Sequence, residues 1–191
     1  MGRRAAAVEE TRRRIVDATL ELHAEQGIAA TRWDEIAARA GVGVGTVYRH
    51  FPSLDELVPA CGRVSRELLA LPNPPDAPAV FAGVDEPRAR VERLVSEVFA
   101  IYDRGADVVR AARREPDVHP DVARAVAEVD AALGALVDAA LEPLDVGTRG
   151  RQLARAMVDL WTWTALREQG LDPAETVAAV SAMLAWALDH A

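Results

Sequence analysis

The residues with the most promising chemistry lie close together in Val44-Gly-Thr-Val-Tyr-Arg-His50. Wound as a helix, this stretch turns Thr46, Arg49 and His50 to one outward side, with Tyr48 near its end. Hydroxyl, guanidinium and imidazole groups donate to phosphate oxygens and to base edges, so nucleic-acid recognition is the chemistry on offer. Catalysis finds no comparable set. There is no glycine-rich phosphate loop, no Ser/His/Asp order in a suitable turn and no distinctive carboxylate pair. His23, His119 and His190 are scattered with no Cys or carboxylate at ligand spacing, so neither a metal nor a cofactor is expected.

A short outward helix needs a partner to hold it. Residues just upstream supply one: Thr31 reads as an N-cap with Asp34 three positions on, a loose capping box. Ile36, Ala37 and Ala40 then form one apolar stripe at helical spacing. Gly41 follows where the chain must turn with positive φ. Two helices joined by a tight glycine turn make a helix-turn-helix.

The 191 residues, half of them hydrophobic, are enough for a substantial core. Long Ala, Leu, Val and Arg runs predict an all-α chain. A single cysteine, Cys61, excludes an intrachain disulfide and fits a reducing cytoplasm. No apolar run has membrane-span length and no leader is evident, so the expected location is cytoplasmic, without membrane contact. The basic residues are all Arg. Net charge is −8, but unevenly spread. Residues 1–50 hold eight Arg against seven acidic residues, net +1, and residues 51–191 hold 14 against 23, net −9. With Arg3, Arg4 and Arg12 to Arg14 clustered early, this suggests a DNA-facing end and an acidic body.

Along the chain, residues 1–8 read as a frayed tail and a first helix as Glu9 to Gln26, ended by Gly27. Helix 3 is stopped by Phe51-Pro52. Ser53-Leu-Asp-Glu56 starts helix 4, in which Pro59 predicts a kink or break. Residues 71–87 hold five prolines and predict an extended linker. This gives a DNA-binding domain over 1–52, a linking helix over 53–70 and a C-terminal domain over 71–191. In the last of these, apolar spacing predicts helix 5 from Pro87, a short helix 6 over 106–114, helix 7 over 121–141, helix 8 over 148–169 and helix 9 from Pro173 onward.

Thr11-Arg-Arg-Arg-Ile-Val-Asp-Ala, Trp33-Asp-Glu-Ile-Ala-Ala-Arg-Ala-Gly-Val42 and Gly45-Thr-Val-Tyr-Arg-His-Phe-Pro52 together resemble the N-terminal domain of the TetR family of bacterial transcriptional regulators. The resemblance covers about residues 11–60. It implies a three-helix helix-turn-helix head, a larger helical body for ligand binding and dimerisation, and a repressor released from double-stranded operator DNA by a small molecule. Carried over by motif position, Gly45 and Thr46 fall where the backbone approaches DNA, and Tyr48 and His50 where phosphates are touched. Thr31, Arg32 and Trp33 fall where the start of helix 2 lies against a phosphate, with inward packing the alternative for Trp33. Two departures stand out. Gly43-Val44 replaces a common Ser-Lys, and Leu54 replaces a common Lys, so a cap and two cationic contacts are missing. Arg32 and Arg49 are expected to compensate, and Val44 to meet either a thymine methyl or solvent.

In the body, Phe99, Tyr102, Met157 and Trp161 are candidates to line an apolar, aromatic effector site, or else plain core. Trp161 and Trp163 point about 160° apart on one helix, so one faces inward and the other outward. Ala178, Ser181, Ala182 and Ala185 beside Trp186 predict a homodimer through helices 8 and 9. Cys61 reads as a small buried residue in preference to a redox sensor. The leading expectation is a ligand-responsive DNA-binding repressor. The alternative is a helical small-molecule sensor or activator acting through protein contacts.

Overall fold

The computed structural model describes residues 2–190; of Arg3 and Arg4 only the backbone is described, so their expected part in a basic cluster lies outside it. Among the described residues the regular structure is helical: α1 (Gly2–Gln26), α2 (Trp33–Ala40), α3 (Val44–His50), α4 (Leu54–Leu69), α5 (Pro87–Arg114), α6 (Pro120–Leu141), α7 (Thr148–Met157), α8 (Leu160–Glu168) and α9 (Pro173–Asp189), with short 3-10 turns between some of them. None is long and apolar enough to cross a membrane.

The chain forms two compact units. One comprises residues 1–68 and 107–127, the other residues 69–106 and 128–191. In the first unit, Ile15, Val16 and Leu22 of α1, Ile36 and Ala37 of α2, Val47 of α3, Phe51, and Leu57 and Cys61 of α4 make one core. Burying large apolar side chains such as Phe51 and Ile15, both fully enclosed, contributes about 1.5–3 kcal/mol each. This is what holds a seven-residue α3, far too short to be helical alone.

The first unit corrects several expectations. α1 starts at Gly2, not Glu9. The N-cap of α2 is Arg32, whose N–H is accepted by Glu35 at 3.0 Å, while the Thr31 hydroxyl donates to Gly27 O at 2.8 Å and closes the preceding turn. α4 runs through Pro59 without a break. The N–H that proline lacks would have reached Asp55 O, in the first turn, where the ladder is only beginning. The glycine turn is as expected: Gly41 sits at φ 65°, and its N–H and that of Val42 return to Ala38 O and Ala37 O.

In the second unit, Leu94, Val95, Val98, Phe99 and Tyr102 of α5 pack in a core with Leu136 and Leu141 of α6, Leu160 of α8 and Val180 and Leu184 of α9. The proline-rich stretch is not an extended linker. Pro74–Phe81 forms a 3-10 helix anchored by buried Ala77 and Phe81. Prolines fit its first turn, and buried Arg90 fastens it by donating to Phe81 O and Val84 O. The expected helix 8 is divided: α7 ends at Met157 with Val158 as its C-cap, and Asp159 caps α8 by accepting from Trp161 N–H at 3.0 Å. The expected break between helices 5 and 6 is a non-helical Gly105 within α5.

Candidate nucleic-acid interface

α3 is the exposed element of the helix-turn-helix. Val44, Gly45, Tyr48 and Arg49 are exposed, Thr46 and His50 are half-buried, and Val47 faces the core. Its N-cap, Gly43, has extended backbone and no side-chain cap; its carbonyl accepts from Thr46 N–H at 2.8 Å. The first N–H groups of the helix are therefore left for an outside acceptor, which suits an anion.

Trp33 joins the two helices. Its ring stacks on Tyr48 at 5.0 Å between centroids, 23° from parallel, and its other contacts are with the apolar core. Inward packing is thus its placement. The stack ties the Tyr48 ring of α3 to the start of α2. Arg12 and Arg14 brace the same unit from α1. Arg12 donates to His50 O at 2.7 Å and covers the Phe51 ring at 4.2 Å. Arg14 donates to Ala40 O and, at 3.3 Å, to Gly41 O. These arginines sit at the carboxyl ends of α3 and α2, where orphan carbonyls and the helix dipole favour a cation. The basic cluster of the sequence is therefore structural in large part: Arg13 pairs with Asp17 at 3.0 Å and reaches Glu67 at 3.5 Å.

Arg32 is also engaged, at 3.2 Å from Asp34, and this hydrogen bond holds the Asp34 carboxyl below its ordinary range. Arg39 is held by Glu25 at 2.6 Å and Glu21 at 3.1 Å, the bond to Arg39 drawing the Glu25 carboxyl down. Exposed Arg49 has no ion pair among the described residues. The two cations expected to compensate for the missing lysine-type contacts therefore differ: Arg49 has no ion pair, and Arg32 is paired to Asp34 through Nε alone.

Residues 115–119 complete the unit, a feature the sequence did not reveal. Glu115 accepts Ala29 N–H at 2.6 Å, clamping the α1–α2 turn. His119 Nδ1 accepts Asp121 N–H at 3.1 Å, which leaves Nε2 protonated to donate to Asp55 at 2.9 Å. These partners lie 86 and 64 residues apart in sequence, and no local pattern announces them. Cys61 is buried, its thiol pushed up to about 12 by desolvation, so it carries no thiolate for redox chemistry.

Burial lowers His23 from 6.5 to about 4, partly opposed by Glu115. The sign is definite. Below pH 6.5 the unfolded chain takes up a proton that the folded one refuses, so stability falls as pH drops towards 4. The expected loss is about 2–3 kcal/mol. Urea melts between pH 7 and pH 4 should show it, and His23→Leu should flatten that part of the profile.

In the second unit, Phe99 and Tyr102 are fully buried, with rings 6.4 Å apart, and Tyr102 lies 6.0 Å from Trp163. Met157 is half-buried. Trp161 is 53% exposed, so Trp163 is the inward ring and Trp161 the outward one. The buried face of α8 runs through Leu160 and Thr164, and Trp161 lies about 100° round the helix from Leu160.

An exposed short helix, held by a glycine turn and a buried core, defines a helix-turn-helix DNA-binding head. Residues 15–61 match the family model of bacterial regulatory proteins of the tetR family. The HTH-type transcriptional repressor KstR of Rhodococcus jostii is 32% identical over 157 residues, 80% of this chain and 62% of that protein. The chain thus spans less than two thirds of that relative's length. Among solved structures, a transcriptional regulator from Rhodococcus sp. Rha1 superposes with TM-score 0.65 at 22% identity, covering 94% of this chain and 96% of that one. FadR from Bacillus subtilis, solved in complex with stearoyl-CoA, gives 0.62 at 17% identity over 90% and 96%. The chain belongs to the TetR family of bacterial regulators.

Proposed function

We propose that this protein is a ligand-responsive DNA-binding repressor, working in the cytoplasm as a homodimer on double-stranded operator DNA. The observation that carries this reading is α3 itself: an exposed helix with an uncapped N-terminus, Gly45 at its start, and Thr46, Tyr48, Arg49 and His50 along it. Phosphates would be held by Tyr48, Arg49 and His50, and bases approached by Thr46 and Val44. Arg32, beside Thr31 and Trp33, would add a phosphate contact through the guanidinium nitrogens that Asp34 does not engage. In a two-fold dimer, two α3 helices fit successive major grooves about 34–36 Å apart. Selection from a random duplex pool tests this: the reading predicts enrichment of palindromic sites, and Thr46→Ala with Tyr48→Phe should lose it. No enrichment by the wild-type chain would defeat the reading.

The effector is proposed to be a small apolar or aromatic molecule, contacting the body near Phe99, Tyr102 and Met157, with Trp163 taking the inward place expected of Trp161. Release requires it to bind the DNA-incompetent state more tightly. Dimerisation is proposed through α9 and the α7–α8 segment that corresponds to the expected helix 8. On α9, Trp186 is 65% and Met183 46% exposed, beside exposed Ala178 and Ala182 that let a second helix approach. Trp186→Glu is expected to shift the chain from dimer to monomer in sedimentation equilibrium at micromolar concentration.

A further inference from the structure

The first unit contains a cavity of about 230 Å³ behind the helix-turn-helix, closed by α4 and residues 118–119. Trp33 and Ile36 of α2, Leu57 and Val58 of α4, Ile28 of the α1–α2 turn and Val118 form its apolar walls. A smaller void of about 50 Å³ shares His23, Ile28 and Val58 with it. An apolar cavity of about 150 Å³ already accepts a benzene-sized guest.

Its polar groups are few, and most are committed. The Thr19 hydroxyl donates to Ile15 O at 2.7 Å and the Thr31 hydroxyl to Gly27 O at 2.8 Å. Both His119 nitrogens are engaged, by Asp121 N–H and by Asp55. His23 is different: none of the described residues hydrogen-bonds its ring, and it lines both spaces. Burial keeps that ring neutral at pH 7, so it offers one donor and one acceptor.

We propose that the head has a second small-molecule site, separate from the effector site of the body, which takes an uncharged one-ring aromatic molecule bearing a hydroxyl, of the phenol class, hydrogen-bonded to His23. A charged guest is disfavoured by the apolar walls. The hydroxyl is required because a guest without one displaces water from the half-buried imidazole and leaves it unpaired. Trp33 is both a wall of this cavity and the ring on which Tyr48 of α3 rests, so an occupant touches the support of the recognition helix directly.

The test uses the full chain at pH 7 without DNA, with p-cresol and toluene as probes and the imidazole NMR signals as readout. The site predicts a saturable shift of the His23 signal by p-cresol, and binding at least about tenfold tighter than toluene. His23→Leu should erase that preference. Ile28→Trp, which keeps His23 but fills the space, should weaken both probes by a similar factor. No saturable His23 shift, or p-cresol affinity unchanged in both variants, would overturn the proposal. Because DNA is absent, either result is independent of the operator-binding reading.

Discussion

Gly45→Leu is expected to lower affinity for duplex DNA by about 100-fold or more, roughly 2.7 kcal/mol, while leaving the fold intact. A Cβ at Gly45 meets nothing within 4 Å, so the folded chain has room for the side chain. Replacing a glycine whose native backbone suits other residues removes conformational freedom from the unfolded state and stabilises by about 0.4–1 kcal/mol. The same side chain stands where α3 must approach the groove, and it pushes the uncapped N–H groups away from phosphate. Fluorescence anisotropy with a selected duplex, beside a urea melt, reads both effects. Lost binding with unchanged or higher stability is the expected pair. Retained binding would mean that the start of α3 does not face DNA.

Arg90→Ala carries the largest expected loss of stability, about 3–5 kcal/mol. Arg90 donates to Ala140 O at 2.9 Å, Ala139 O at 2.6 Å, Val84 O at 2.7 Å and Phe81 O at 3.4 Å. Its guanidinium also lies 5.2 Å from the Phe81 ring centroid. Truncation leaves these carbonyls without their donor and frees the 3-10 helix from the end of α6. Against a typical total of about 5–15 kcal/mol the change is large, and it should appear as a lower urea midpoint. Arg90→Lys is expected to rescue little, because one ammonium cannot span carbonyls that the planar fork reaches together.

The helix-turn-helix was readable because its determinants are local. The Ile36-Ala37-Ala40 stripe, the positive φ at Gly41 and the Phe51-Pro52 stop all act within a few residues, and each appears where expected. Charge alone does not say whether the guanidinium of Arg12 or Arg14 faces solvent or a helix end. The carbonyls they cap lie 38 and 26 residues away. Prolines at 72–87 look like a linker by composition, and only the burial of Ala77 and Phe81 with Arg90 makes them an ordered segment. Helical spacing leaves open which of Trp161 and Trp163 faces inward, and the contact of Trp163 with Tyr102 decides it. Asp159, an N-cap type placed just before Leu160, was the available signal for a restart. For Glu115 and His119 no signal existed, since their partners are set by tertiary packing.

The central claim, that this head binds duplex DNA through α3, is tested most directly by titrating the selected duplex against the full chain at several salt concentrations. The logarithm of the affinity should fall linearly with the logarithm of salt, because each neutralised phosphate releases counterions. Arg49→Ala should reduce that slope by about one. Binding that ignores salt, or a slope that Arg49→Ala leaves unchanged together with unchanged affinity in Gly45→Leu, would contradict the account.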